Sequence, residues 1–429
     1  MSIYFAQDGG VIPRDRPVRA RRWPYSVAVV DENAPSSHGA RGGAEALREF
    51  NRRRVLAAVR AGRATNRSQL CTVTGLSRST VTGLVGELLA ERALAEIIDD
   101  PDAGRGVGRP AQRLTIAPRH DLVIAIDLGH SHCRIGILDS AAQIVAEDSS
   151  AMDVDSSAER ALNHVSGVID RLLAQLGTDR SRVVGGGLGL PAPVNTTTGT
   201  VGPGSVLPKW VDRHPADELQ RHLGLPIAID NDANLGALAE IAFGAARGLS
   251  NVIYVKVSTG IGAGLVLGGQ VYRGTSGRAG EIGHVPVDPS GPVCRCGNRG
   301  CLETVASVTQ VLAMLQPSHA QPMTTLALAE LVAADDAGAR RVVSDAGRLI
   351  GRVLADTVNN LNPQIIVLGG ELSMAGDPLL DGVRESIDRF AQPGIARDLR
   401  VLAGELGERA QLLGAAALAL DASKPALAE

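Results

Sequence analysis

Aromatic side chains are nearly missing from this chain of 429 residues, where four Phe, four Tyr and two Trp make up 2%. Its cores must therefore rest on Leu, Val, Ile and Ala. No apolar run of about eighteen residues occurs, so no transmembrane helix and no membrane partner are expected. The first 45 residues carry Arg14, Arg16, Arg19, Arg21 and Arg22 but no apolar stretch of signal-peptide length. Cysteine is held to five residues, three of them crowded into one loop. A cytoplasmic location is the expectation, and it would keep those thiols reduced.

What is present is enough for two or three domains with large cores: 44% hydrophobic residues and a mean hydropathy near zero. The formal net charge of −3 hides an asymmetry. Residues 46–120 carry +6 and residues 121–429 carry −10. A basic amino-terminal module on an acidic body points to nucleic acid as the partner of the first module alone.

The loop Glu281–Glu303 reads E-I-G-H-V-P-V-D-P-S-G-P-V-C-R-C-G-N-R-G-C-L-E. His284, Cys294, Cys296 and Cys301 are the ligand types a closed structural zinc site prefers. Gly297 and Gly300 let the loop curl so that three sulfurs converge on one ion. Cysteines two residues apart suit a metal knuckle better than a disulfide. The spacing predicts a zinc loop.

Residues 1–45 have no periodicity and are expected to be a disordered tail. From Leu47 an apolar stripe predicts a helix closing near Gly62, then a short helix around 68–72. The turn Thr74–Ser77 follows, with Ser77 as N-cap of a third helix, Arg78 to about Arg92. Val81, Leu84, Val85, Leu88 and Leu89 form its apolar face. Arg78, Ser79, Thr80 and Thr82 lie on the other, suited to close approach to base edges. This is the layout of a helix-turn-helix. Strands at 95–98 and 113–116, joined by the Gly-rich tip 104–110, complete a wing with Arg105 and Arg109 directed at the minor groove. Arg52, Arg53 and Arg54 are expected to meet phosphates or solvent. The winged module is assigned to 46–118.

An α/β body is expected from 119 to 424, in lobes of about 119–245 and 246–424. Leu122–Gly129 is an apolar strand ending in Asp and Gly, and strands near 133–138 and 144–147 follow. A helix at 158–176 leads to strands at 183–194 and 225–229, the latter delivering D-N-D-A-N onto a helix start. The second half repeats the theme: a strand at 252–257, the turn S-T-G-I-G-A-G, and a return at 265–267. Helices near 305–315, 325–333 and 339–361, a strand at 364–372 and a closing helix at 411–420 complete it.

Together, N-D-A-N, S-T-G-I-G-A-G, E-x-G-H and C-x-C-G-x-x-G-C-L-E resemble the ROK family of repressors, uncharacterised reading frames and kinases, over about 50–424. The resemblance implies a two-lobed actin-like (ribonuclease H-like) ATPase fold behind a winged helix-turn-helix, as in the sugar-responsive repressors. It places sugar hydroxyl contacts on Asn231, Asp232, Glu281, His284 and Glu303, with Asp232 matching the kinase base. A helix-capping role for Asn231-Asp232 stands beside that reading. Nucleotide-loop equivalents fall on Asp127, Gly129, Ser131, Thr259, Gly260, Gly262, Gly369 and Gly370. The second glycine of the kinase's first phosphate loop is His130, whose imidazole is expected to fill phosphate space, so ATP and Mg2+ are not expected. The implied function is a sugar-responsive repressor of carbohydrate genes, with a double-stranded DNA operator, a sugar or sugar-phosphate effector, structural Zn2+, and a homodimer or dimer of dimers. The alternative is an ATP-dependent sugar kinase with an appended DNA-binding domain.

Overall fold

A computed structural model describes residues 42–60, 62–90, 93–98, 112–116, 122–202 and 206–423. The chain divides between Ala117 and Pro118 into two compact units. Of the expected tail 1–45, residues 1–41 lie outside the described residues, as does the wing tip with Arg105 and Arg109, whereas 42–45 are helical, opening the first helix.

The first unit has helices α1 (Gly42–Arg60), α2 (Arg67–Thr74) and α3 (Arg78–Ala90), then strands β1 (Leu94–Ile98) and β2 (Gln112–Ile116). Helix α2 starts where the Asn66 side chain accepts the Gln69 amide at 2.9 Å, and stops at Gly75 in the left-handed region. The predicted cap of α3 is in place: the Thr80 amide donates to Ser77 Oγ at 3.2 Å. Val55, Leu70, Val81, Leu84, Leu88, Leu94 and Leu114 close one core, and β1 pairs antiparallel with β2. The Leu114 amide also donates to the Thr65 carbonyl at 2.7 Å, tying the strand pair to the start of α2. Replacing Asn66 by Ala is expected to cost this unit about 1 kcal/mol in urea unfolding.

The second unit opens with β3 (Leu122–Leu128), β4 (His132–Asp139), β5 (Ile144–Ala151), α4 (Ala158–Gln175), β6 (Val183–Leu190), the short pair β7 (Val194–Asn195) and β8 (Thr200–Val201), α5 (Pro215–Leu223), β9 (Ile227–Asn231) and α6 (Asp232–Ala242). It continues with β10 (Val252–Val257), β11 (Ile261–Leu267), β12 (Gln270–Tyr272), α7 (Glu303–Ala306), α8 (Val308–Leu315), α9 (Thr325–Ala333) and α10 (Ala337–Leu361). Strand β13 (Ile365–Gly369), α11 (Asp377–Phe390), α12 (Pro393–Asp398), β14 (Arg400–Ala403) and α13 (Ala410–Ala422) complete it.

The two large sheets run β5-β4-β3-β6-β9 and β12-β11-β10-β13-β14, the same order twice. In each, a three-stranded antiparallel meander is extended by two parallel strands. That duplication is the two-lobed fold the resemblance implied. Strands β3 and β13 are buried along their whole length, as strands covered on both faces must be. Two aromatics, Trp210 and Tyr254, are fully buried among the described residues, and the rest of the core is aliphatic. The last helix crosses back: α13 packs on the first sheet through Leu412, Ala415, Ala416 and Ala419 against Val123, Ala125 and Leu138. Gly187 in β6 permits this, because a Cβ there would strike the Ala415 carbonyl.

Several boundaries differ from expectation. The expected helix at 305–315 is broken at Ser307 into α7 and α8. The expected strand at 364–372 ends at Gly369 and becomes a 3-10 turn over Glu371–Ala375. Helices α5 and α11 and strand β14 were not foreseen.

Candidate functional site

The carboxyl ends of β3, β9 and β10 carry the side chains of interest, as crevices in parallel sheets usually do. Asp230, at the end of β9, is 1% exposed and is held by Arg273 (Nε 2.8 Å, Nη2 2.6 Å). Its other oxygen accepts from the Asn231 amide and from Asn234 Nδ2, both at 2.8 Å. Asn231 caps α6, accepting from the Ala233 and Asn234 amides at 2.9 and 3.3 Å, while its Nδ2 donates to the Ala192 carbonyl at 3.2 Å. The capping role anticipated for this pair is therefore real.

Asp232 is engaged on both oxygens. Oδ1 accepts from the Ala233 amide at 2.7 Å, and Oδ2 accepts from Lys256 Nζ at 2.6 Å. Lys256, on β10, was not singled out from sequence. Burial pushes its ammonium pKa down, but the charges of Asp232, Asp127 and Glu371 outweigh burial and hold it above the usual lysine range.

Burial, with the charges of Asp232 and Glu303, pushes the Glu281 carboxyl up to about 7. Its Oε2 is 3.6 Å from His284 Nε2. Glu303 starts α7, accepts from the Ile261 amide at 3.3 Å and lies 3.9 Å from Arg295 Nε. The five residues expected to meet sugar are thus brought together.

The ligand atoms of His284, Cys294, Cys296 and Cys301 all lie within 4.8 Å of one another. Cys296 and Cys301 Sγ are 3.7 Å apart, and Cys294 Sγ is 3.5 Å from His284 Nδ1. A tetrahedron with zinc–ligand bonds of normal length has edges of about 3.8 Å (S to S) and about 3.6 Å (N to S). The donor set and its spacing therefore fit a tetrahedral metal ion. The loop is shaped for it: the Cys294 amide donates to the Asn298 carbonyl at 2.7 Å, and the Gly297 amide to the Cys294 carbonyl at 2.9 Å. Gly300 has φ +60°, and a Cβ there would meet the Asp288 carbonyl. Burial and the neighbouring sulfurs push the Cys301 thiol up to about 12. A bound cation would reverse that by stabilising the thiolate.

At the first strand's Asp127–Ser131 turn it is another histidine than the expected one that lies over the glycine. His130 does not: its Nδ1 turns to Asp155 Oδ1 at 2.7 Å. His132 does. Its Nε2 lies 3.2 Å from Asp127 Oδ2, and its ring covers the place where a Cβ on Gly129 would stand. Burial raises the Asp127 pKa, and His132, Lys256 and Arg134 together bring it below the usual carboxylate range. Ser131 and Thr259 are exposed. Gly260 lies against Glu303, and Gly262 against Ala233. Gly369 and Gly370 have packing reasons to be glycine, since side chains there would strike the Tyr254 ring and the Val257 carbonyl.

In the first unit, Arg78, Ser79, Thr80 and Thr82 are all exposed at the start of α3. Ser79 and Thr80 hydroxyls lie 2.9 and 2.8 Å from Ser77 Oγ, and Thr82 Oγ1 donates to the Arg78 carbonyl at 2.8 Å. Arg54, expected at phosphates or in solvent, donates to the Thr74 carbonyl and stacks over Phe50. The Arg53 side chain lies outside the described residues.

Residues 123–422 match the ROK family. The xylose repressor of Bacillus subtilis is 28% identical over 87% of this chain and 96% of its own length. The DNA-binding transcriptional repressor Mlc of Escherichia coli is 30% identical over 82% of this chain and 88% of its own. A glucokinase of Halalkalibacterium halodurans is 32% identical over 68% of this chain and 92% of its own. A crystal structure of a ROK family transcriptional regulator, homologous to Escherichia coli Mlc, superposes with a TM-score of 0.71 at 26% identity, covering 88% of this chain and 96% of that one. With the duplicated sheet order, the Cys/His loop and a family match over well more than half its length, this chain belongs to the ROK family.

Proposed function

We propose that this protein is a DNA-binding transcriptional regulator, a repressor of carbohydrate-metabolism genes whose hold on its operator changes when a sugar or sugar phosphate enters the cleft. One observation carries the reading. Similarity to the repressors extends over 82–87% of the chain, whereas the glucokinase match covers 68%. The exposed start of α3 supports it, because a recognition helix reads the major groove with its first turn. In this reading residues 46–118 bind DNA, 119–424 bind sugar, and the protein works in the cytoplasm, on the nucleoid, as a homodimer or dimer of dimers on a pseudo-palindromic operator.

Zn2+ is the metal we assign to His284, Cys294, Cys296 and Cys301, as a structural ion. Its chemical contribution is to fix the loop and the imidazole. With Nδ1 facing the sulfurs, His284 keeps Nε2–H to donate toward Glu281 or a sugar hydroxyl. Asn231, Asp232, Glu281 and Glu303 supply the remaining donors and acceptors. The effector acts by binding the operator-bound and released states with different affinity. His132 over Gly129 and Lys256 on Asp232 argue against phosphoryl transfer, and an ADP-release assay over a hexose panel is expected to give no turnover. Turnover abolished by Asp232→Asn would replace this reading with a sugar kinase.

The direct test is a gel shift on the protein's own upstream region, repeated with sugars and sugar phosphates. A shift that no carbohydrate alters would remove the sensing role. Arg78→Ala is expected to weaken operator binding by about 1–3 kcal/mol, and Arg109→Ala to reduce the minor-groove contribution. A footprint indifferent to both changes would remove the assignment of the reading elements.

A further inference from the structure

The chain passes between the two large sheets of the second unit twice. The first passage has no slack: β9 ends at Asn231 and α6 begins at Asp232. Helix α6 is seated on the second sheet, where Ala237 packs with Val252, Tyr254 and Val266. The second passage, 404–409, runs from β14 of the second sheet to α13, which lies on the first.

The two ends of that passage are held by different lobes. At its start the Gly404 amide donates to the Leu368 carbonyl of β13 at 2.8 Å. The Glu405 and Leu406 amides then donate to the Glu240 carboxylate at 3.4 and 3.3 Å. Glu240 belongs to α6 and is fully buried, and its Oε2 also accepts from the Ala245 amide at 2.8 Å. A buried carboxylate needs donors around it, and here the three are backbone amides. Side chains at Gly244 or Gly404 would strike it, so both positions are left bare. At the far end, Arg134 of β4 donates to the Glu408 carbonyl and lies 3.1 Å from the Glu408 carboxylate. Arg409 Nη2 lies 2.7 Å from Glu147 Oε2 of β5. Between these anchors stands Gly407, with φ +55° and nothing within 4 Å of the place a Cβ would take. A cavity of about 580 Å³ lined by Arg134, Glu147, Ser149, Leu406, Glu408 and Arg409 leaves room beside it.

A rotation of one lobe against the other is absorbed where the chain changes lobe, at a few residues that take large φ/ψ changes. Glycine does so most freely, and this one separates a half fastened to the second lobe from a half fastened to the first. We infer that 404–409 is the hinge of the cleft, with Gly407 as its bending point and Glu240, through α6, as the anchor that fixes its near half to the second lobe. Any ligand that turns the lobes does so by bending this segment, and the Glu240 carboxylate keeps the motion a rotation instead of a slide. The inference goes beyond the regulatory reading and needs no particular ligand in the cleft.

The test is made on full-length, zinc-loaded protein without sugar. Spin labels on a genetically encoded amino acid at Leu176 and Leu326, exposed positions on the first and second lobes, give the lobe-to-lobe distance by pulsed electron paramagnetic resonance. Glu240→Gln sets an NH2 donor against backbone donors. Hydrogen exchange of the Glu405 and Leu406 amides is then expected to quicken at least about tenfold, and the distance distribution to broaden. Gly407→Ala and Gly268→Ala form a matched pair. Both glycines are left-handed, at φ +55° and +59°, with open space around them, but Gly268 lies in the β11–β12 turn inside one lobe. Both variants should lose similar stability, and Gly407→Ala alone should shift or broaden the distances. Distances in Glu240→Gln or Gly407→Ala that superimpose on wild type, or a change in Gly268→Ala as large as in Gly407→Ala, overturn the inference. If Glu240→Gln does not fold, the glycine pair decides by itself.

Discussion

Protein carrying Cys301→Ser is expected to emerge from purification without stoichiometric zinc and to bind its sugar about 10–100-fold more weakly, while still shifting operator DNA. The sulfur removed is buried, 3.7 Å from Cys296 Sγ and 3.4 Å from the His284 carbonyl. Serine is a poorer ligand, and three remaining donors do not close a structural site. The damage should then travel along a short path. His284 loses the partner of Nδ1, its ring turns more freely, and the contact to Glu281 loosens. Helix α7 begins two residues after Cys301, so Glu303 and its hold on the Ile261 amide are loosened as well. Elemental analysis gives the metal content and calorimetry the sugar affinity. Full zinc occupancy with unchanged sugar binding would strip the loop of its role in sensing. DNA binding is the internal control, since the first unit has a core of its own.

Asp230→Ala is expected to cost the second unit about 1–3 kcal/mol, because it leaves the Asn231 amide and Asn234 Nδ2 without their acceptor, while Arg273 keeps some access to water. Arg273 would lose both contacts to the carboxylate, and Asn231 and Asn234 would lose an acceptor at the start of α6. Sugar binding should fall with stability, since Asn231 and Asp232 depend on that helix start. Trp210 is fully buried, with its indole N–H donated to the Val154 carbonyl at 3.0 Å, so its emission reports the unfolding of this unit. The other tryptophan is Trp23. In a Trp23→Phe background the urea midpoint of Trp210 emission is the measurement. A midpoint within error of the parent would mean that the Asp230–Arg273 pair carries little of the fold.

Local chemistry was legible in the sequence wherever a few neighbouring residues decide the outcome. The Cys/His loop declares itself because its three sulfurs and two turn glycines lie within eight residues. Ser77 as a cap and the exposed start of α3 follow from a turn and one apolar stripe. Lys256 was not legible for the opposite reason. In V-I-Y-V-K-V it reads as the polar side of an ordinary strand, and only the placement of α6 beside β10 sets it against Asp232. The histidines show the same limit at closer range. The motif drew attention to His130, but the antiparallel start of β4 swings His132 back over Gly129 and sends His130 to Asp155. Helix α11 and strand β14 carry no motif, and their order in the second sheet emerges only from its likeness to the first.

The return of α13 to the first sheet also sets a timetable for synthesis. Val123, Ala125 and Leu138 leave the ribosome long before Leu412 and Ala416, which cover them. At about 5–20 residues per second, that face stays bare for roughly 15–60 s. The amino-terminal reader, whose core closes by Leu114, is finished before then. Each nascent chain therefore carries a completed DNA-binding head on an unfinished body, and a chain cut short before α13 would present a sticky apolar sheet to chaperones and proteases.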